Sequence, residues 1–344
     1  MKNIKPISLR PQLIGESVTF LNQENMECLI TQDGLVDLIS QLVYYKEEGR
    51  ALYPEIYIFD DLDLIRKVLP TNQFCLIGTG DKTKATMLKA LKKCAPLSEN
   101  GWAIYILRKP NSFEYGIFRA GTSILSVSIS ETLIDNGAED LKAILIHQVA
   151  EKLIEVKGVK ADSLIISFGS QEQSKLSPTE NQLKFIESIV KEVDPEVRDQ
   201  TVNFFKKVFL HSLQKGHGTL ACVVKSKKKM PKKLQDGIQL SIRLDIPKSI
   251  KELTDNNDLQ ANAYLEGQFS LITGMMQSDG ITVFSDKGEI LSYNLFVKHP
   301  PKLTNTKTSG GARSRTYLTL CDMIGKEIEG AYIQSQDGKI EYKK

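Results

Sequence analysis

The chain is poor in the residues that build metal and redox centres, and the few it has are scattered. Its 344 residues include five cysteines and four histidines. Cys28, Cys75, Cys94, Cys222 and Cys321 lie far apart with no CxxC pair, a usage that fits reduced thiols serving as small core residues. His147, His211, His217 and His299 are equally dispersed, which excludes a His/Cys zinc motif on spacing. Long apolar runs are missing too. No stretch approaches the ~20 residues that a membrane helix needs. The opening "MKNIKPISLRPQLIGESVTF" has no apolar core region and no small-residue cleavage site, so it does not read as a secretory signal. The expectation is a cytoplasmic protein. Charge is nearly balanced at a net +3, which by itself points to no class of partner. What remains is ordinary globular composition, 41% apolar and 25% charged, in a chain long enough for two domains.

The pattern along the chain predicts α/β architecture in both halves. "PEIYIFDD" and "QFCLIGTG" are short β-branched and aromatic runs closed by turn residues, and read as strands. Met87, Leu88, Leu91 and Cys94 fall at helical spacing. "GWAIYILRKPNSFEYGIFRAG" reads as a hairpin turning at Pro110-Asn111-Ser112. "EDLKAILIHQVAEKLIEV" reads as an amphipathic helix, and "DSLIISFG" as another strand. The polar stretch "GSQEQSKLSPTENQ" is the candidate linker, placing a boundary near Ser170 to Asn181 and dividing the chain into residues 1–175 and 176–344. Helices around Phe185 to Val193 and over "VRDQTVNFFKKVFLHSLQKG" then lead into the second domain.

That domain reads as strand ("GTLACVVK"), basic loop, strand ("GIQLSIRLDI"), and a helix with Ala261, Leu265, Phe269, Ile272 and Met276 on one face. "QSDGITVF" starts a strand, "SDKG" turns the chain into "EILSYNLFV", and a helix over Arg315–Ile324 with Leu318, Cys321 and Ile328 as its apolar residues follows. "GAYIQSQDGKIEY" closes the domain as a hairpin. Neither internal repeats nor low-complexity blocks are visible.

Several motifs carry chemistry, each with a plainer alternative. In "SGGARSR" the glycines Gly310 and Gly311 allow close main-chain approach, while Arg313 and Arg315 crowd a helix N-terminus that already carries partial positive charge. An anion would offset that placement, bound by main-chain N–H groups and guanidinium forks. The plain alternative is a glycine turn with two solvated arginines. Asp279-Gly280 puts a carboxylate at a strand mouth, where it can hold a divalent metal or accept a proton, although Asp-Gly is also the commonest turn pair. "LIGTGDKTKAT" looks like a phosphate loop but has Asp81 where the lysine belongs, and reads as a strand-to-helix turn. "KSKKKMPKK" holds six lysines between Lys225 and Lys233; it reads as a solvated loop or as a patch that steers a polyanion. No aromatic residue interleaves these lysines, and no nucleic-acid partner is expected. His147 and Glu151, one turn apart in the expected helix, read as a surface pair.

Taken in order, the C-terminal motifs from about Lys215 to Lys344 resemble the diadenylate cyclase (DAC) domain, which makes cyclic di-AMP from two ATP molecules. "HGTLACVV", "QSDGITVFSDKGEILSYNLFV", "SGGARSRTYLTL" and "AYIQSQDGKI" occupy the family's strand, Asp-Gly strand start, arginine helix and final hairpin. The resemblance implies that Asp279 holds a Mg2+ or Mn2+ and helps activate the attacking 3′-hydroxyl. It implies that Gly218, Thr219, Leu220, Gly280, Ile281, Phe296, Val297, Gly311, Ala312, Ser335 and Gln336 line the nucleotide, with Phe296 and Val297 at the adenine. It places Arg313 and Arg315 on the triphosphate, with Ser314 between them.

The chain departs from the family pattern at four positions. Ile281 replaces alanine, Ala312 threonine, Ser314 histidine and Gln336 a glutamate. Two further readings therefore stand beside the cyclase: a DAC domain that binds ATP or a cyclic dinucleotide without turnover, and a nucleotidyl transferase with a different product. The cyclase reading requires self-association, since one subunit cannot bring two sites face to face. The first half resembles the sensor-type modules that precede DAC domains, of the class called DACNV, which implies a regulatory role.

Overall fold

The computed structural model describes residues 9–121, 124–150, 152–168, 178–214, 218–227, 230–256, 259–298, 311–335 and 340–344. The chain divides into two compact units, with the main break between residues 170 and 171. Each unit is built on a seven-stranded mixed sheet flanked by helices, the α/β class expected.

The first unit begins with α1 (Leu9–Gln23) and α2 (Leu29–Leu42), then a two-stranded ribbon of β1 (Lys46–Glu47) and β2 (Arg50–Ala51). Its sheet is formed by β3 (Ile56–Phe59), β4 (Gln73–Asp81), β5 (Ala103–Arg108), β6 (Ser112–Arg119), β7 (Ala143–Ala150), β8 (Leu153–Gly158) and β9 (Leu164–Ser167), in the order β4-β6-β5-β3-β7-β8-β9. Helices α3 (Leu62–Val68) and α4 (Lys84–Cys94) complete it. The turn after β4 ends as "LIGTGDKTKAT" suggested: Thr83 caps α4, its hydroxyl accepting from the Thr86 N–H at 3.3 Å.

The residues expected to form an amphipathic helix, 139–156, form β7 and β8 instead. The reason lies in burial. Along β7, Ile144 and Ile146 join the core beneath α1, α2 and α4, while Ala143 and Leu145 join the core on the opposite face. A strand covered on both sides reads as one continuous apolar run, which periodicity cannot separate from a buried helix. His147 is accordingly not on a helix surface. It is buried, and its Nε2 lies 2.9 Å from the Glu155 carboxylate on β8; Glu151, its expected neighbour, lies outside the described residues.

Two buried charges tie loops to this sheet. The Glu24 carboxylate, wholly buried, accepts from the main-chain N–H groups of Val159, Lys160 and Ala161. Arg108, at the end of β5, grips Asp60 with two parallel bonds of 2.6 and 2.8 Å. The same guanidinium donates to the Met26 carbonyl at 2.7 Å.

The second unit starts with α5 (Pro178–Ile189) and α6 (Pro195–Gln214). α5 begins inside the stretch expected to be linker, because Pro178 suits the first helical turn and Asn181 and Gln182 are buried beneath the sheet's hairpin. The remainder of that stretch lies outside the described residues. There follow β10 (Thr219–Val224), β11 (Leu234–Gln235), β12 (Ile238–Asp245), α7 (Ile246–Asn256), α8 (Leu259–Gln277), β13 (Ile281–Ser285), β14 (Glu289–Val297), α9 (Ala312–Met323), β15 (Gly330–Gln334) and β16 (Ile340–Lys343). α7 has no counterpart in the sequence reading. Its Ile246, Ile250 and Leu253 face the core, spacing short enough to pass as the tail of the preceding strand.

The sheet runs β11-β14-β13-β10-β15-β16, with β12 also on β14. Alternation sets the layers. Leu220, Cys222 and Val224 of β10 pack with Tyr317, Leu320 and Met323 of α9. On the other face Phe284 and Tyr332 meet Phe185, Phe205 and Phe209 of α5 and α6, Phe185 stacking on Tyr332 with ring centres 4.8 Å apart.

The cysteines do not all serve the core. Cys94 and Cys222 are buried, Cys28 and Cys321 half-buried, and Cys75 on β4 is exposed. Burial pushes the Cys94 and Cys222 thiols each up to about 12, so neither ionises at neutral pH. Alkylation of the native protein at pH 8, read by peptide mass spectrometry, is expected to modify Cys75 within minutes. Cys94 and Cys222 should react only after denaturation; equal labelling of Cys75 and Cys222 would contradict this packing.

Candidate functional site

Strand pairing collects the sequence-predicted residues at one end of the second sheet. β10 and β13 run parallel with Leu220 opposite Ile281, so Gly218-Thr219 and Asp279-Gly280 lie side by side. β15 runs antiparallel to β10 with Gln334 opposite Thr219, which brings the end of the final hairpin, including Ser335, to the same edge. β14 arrives antiparallel with Leu295 opposite Ile281, so Phe296 and Val297 follow directly at that end.

The Asp-Gly step is demanded by geometry. Gly280 has φ +95°, and a Cβ there would lie 2.7 Å from the Asn294 carbonyl carbon. Asn294 itself has φ +55°, at a point where β14 shifts register against β13. Two left-handed residues packed backbone to backbone leave no room for a side chain. Asp279 is thereby held at the rim with its side chain 83% exposed.

α9 supplies the cationic side. The helix starts at Ala312, three residues before the expected start at Arg315, so both arginines lie within its first turn. The Arg315 N–H closes the first helical bond onto the Gly311 carbonyl at 3.3 Å. Gly311, the N-cap, offers no side-chain acceptor, and no acidic residue occupies the first turn. Among the described residues no side chain caps the first turn, whose N–H groups and dipole make that end electropositive. The apolar face also differs from expectation. Tyr317, Leu320 and Met323 are buried, Leu318 is exposed, and Ile328 lies beyond the helix. Burial raises the Tyr317 phenol and the Cys321 thiol, which keeps the inner side of α9 uncharged.

Arg313 is the residue that joins the parts. Its Nη2 donates to Asp279 Oδ1 at 3.0 Å. A Cβ on Gly218 would sit 3.0 Å from Arg313 Nη1 and 3.0 Å from the Gln334 carbonyl oxygen, so this glycine makes space for the guanidinium. Residues two apart on a helix point ~200° apart. Arg315 consequently does not join Asp279; it is exposed and, among the described residues, forms no ion pair. Ser314 is half-buried between them, and Ala312 and Gly311 are exposed. Phe296, 44% exposed, pairs with Gln235 of β11, and half-buried Val297 with Leu234. Gly310 and Gln336 lie outside the described residues.

The lysine-rich loop is partly anchored. Met230 packs against the α9-side core, while Lys225 and Lys233 approach Glu329 and Glu327 at 3.5 and 3.9 Å. Lys225, Lys227, Lys232 and Lys233 are exposed, and Lys228 and Lys229 lie outside the described residues. Two participants went unread in the sequence: the Gln334 carbonyl and Asn294. Neither residue type signals its role, because one acts through its main chain and the other through a bulge formed by pairing.

No group of three or more His, Cys, Asp or Glu residues able to hold a metal occurs among the described residues. A single exposed carboxylate does fit Mg2+ or Mn2+ that takes its other ligands from water and phosphate. Among the described residues no helix is long and apolar enough to cross a membrane. Comparisons with protein-family models, curated proteins and solved structures return no match.

Proposed function

We propose that the second unit binds ATP at this sheet end and condenses two ATP molecules into cyclic di-AMP and two pyrophosphates, in a face-to-face pair of chains. The observation that carries the reading is the convergence of Asp279, Arg313 and Gly218 at the N-terminal end of α9. That end presents main-chain donors, a guanidinium and one carboxylate, a donor set suited to a metal-bound polyphosphate.

Arg313 leaves its exposed pairing with Asp279 to take phosphate oxygens, an exchange that costs little because such ion pairs are worth about 0–1 kcal/mol. Asp279, once released, would hold Mg2+ or Mn2+, and its carboxylate would accept the proton of the ribose 3′-hydroxyl. The metal when bound offsets charge on the phosphates and the leaving pyrophosphate. The first-turn N–H groups of α9 and Arg315 bind the outer phosphates, and Phe296 offers its exposed ring to the adenine. In each of two transfers the 3′-oxygen forms a bond to the other nucleotide's α-phosphorus while the bond to pyrophosphate breaks. Positioning of the two nucleotides supplies much of the rate.

Ser314 favours a second reading, a domain that binds nucleotide without turnover, since the family's imidazole between the arginines is absent. Incubation of the full chain with ATP and Mn2+ or Mg2+, followed by mass spectrometry, separates the readings. Cyclic di-AMP is expected. Tight ATP binding with no product would establish the binding module, and a different nucleotide product would establish another transferase.

A further inference from the structure

Asp279 has little packing of its own. Its side chain is 83% exposed, so its place is set by the main chain on either side. Downstream, Gly280 is packed against the Asn294 backbone. Upstream, α8 ends at Gln277. A helix C-terminus leaves its last carbonyls unbonded, and α8 runs into Ser278 and Asp279 rather than the glycine that commonly closes one. Hydroxyls close it instead. Ser278 Oγ donates to the Met275 carbonyl at 2.6 Å, and Thr282 Oγ1 approaches the same oxygen at 3.5 Å. Thr219 Oγ1, 57 residues earlier in the chain, donates to the Met276 carbonyl at 2.8 Å. Of the two bonds that tie this helix end to the sheet, the one from Thr219 is the shorter. Thr219 is also 2% exposed, so water cannot readily replace its hydroxyl.

We infer that Thr219 is a positioning residue for Asp279: its hydroxyl holds the last turn of α8 against β10 and so sets where the carboxylate stands. The route is short, since Met276 precedes Asp279 by three residues. The start of β10 thereby places both members of the Arg313–Asp279 pair. Gly218 yields space for the guanidinium, and Thr219 holds the helix end that delivers the aspartate. A displacement of about 1 Å can cost about 100-fold in rate, so a lost anchor at this point reaches the chemistry without touching nucleotide. The consequence for catalysis rests on the nucleotide reading, whereas the anchoring of Asp279 does not.

Amide hydrogen exchange on the full chain without nucleotide, read by peptide mass spectrometry, tests the anchoring. Thr219→Val keeps the side-chain shape and deletes the hydroxyl. Exchange over 275–281 should quicken about tenfold, the effect of one lost hydrogen bond, and Thr219→Ser should restore it. Thr219→Ala serves in place of valine should valine disturb folding. Thr273→Val is the control: it removes a 2.9 Å hydroxyl bond onto the Phe269 carbonyl within α8 and should leave 275–281 unchanged. With ATP and Mn2+, Thr219→Val should lower kcat at least about tenfold and keep KM for ATP within about twofold. Thr219→Ser and Thr273→Val should keep the wild-type kcat. A wild type that makes no cyclic di-AMP would count against the nucleotide reading and leave exchange to decide the anchoring. Unchanged exchange or unchanged kcat in Thr219→Val, or equal losses in Thr273→Val, would overturn the positioning role.

Discussion

Asp279→Asn is expected to lower product formation from ATP at least about 100-fold while leaving the fold intact. Asparagine keeps the shape and an oxygen that can still accept from Arg313 Nη2, now 3.0 Å from Asp279 Oδ1. In the proposed reaction it removes the charge that would hold a divalent cation and the basicity that would accept the 3′-hydroxyl proton. Stability should barely change, because the side chain is at the rim and its ion pair is exposed. Arg313→Gln is the informative companion. It frees Asp279 but deletes the guanidinium proposed to hold phosphate, so on that proposal KM for ATP should rise at least about tenfold while the carboxylate remains. Initial rates by product mass spectrometry and melting temperatures report both variants. Retention of more than a tenth of the rate in Asp279→Asn would remove Asp279 from the mechanism.

The largest stability effect is expected at Arg108. Its side chain is 8% exposed and satisfies both Asp60 oxygens and the Met26 carbonyl, joining the ends of β3 and β5 to the connection between α1 and α2. Arg108→Ala takes this donor from the buried Met26 carbonyl and leaves Asp60, 31% exposed, to solvent, at a cost of about 1–3 kcal/mol. Arg108→Lys should rescue little, since an ammonium cannot form the two parallel bonds. The chain has one tryptophan. Trp102 lies in the first unit beneath the Arg119 guanidinium, 5.1 Å from its ring centre, so its fluorescence in urea reports that unit selectively. A midpoint unchanged in Arg108→Ala would show that the buried fork contributes nothing to stability.

Most strands were legible because turn residues bracket them: β3, β4, the β5–β6 hairpin, β13 and the β15–β16 hairpin all fall where the sequence places them. β7 was read as a helix because cores on both of its faces erase the alternation that marks a half-buried strand. The sequence reading starts α9 at Arg315, whereas the structure starts it at Ala312, where backbone bonding begins from the Gly311 carbonyl.

The candidate site divides in the same way. The residue pattern alone determined two mixed α/β halves, an Asp-Gly pair at a strand mouth, and arginines beside a helix start, since each depends on local backbone preference. Tertiary structure alone decided that Gly218, Asp279 and Gln334 share one sheet end, through a parallel pairing of β10 with β13 across sixty residues of chain. It also decided that Arg313, and not Arg315, meets the aspartate. Helix rotation turns the two apart, and only the packing of α9 on the sheet selects which one faces inward.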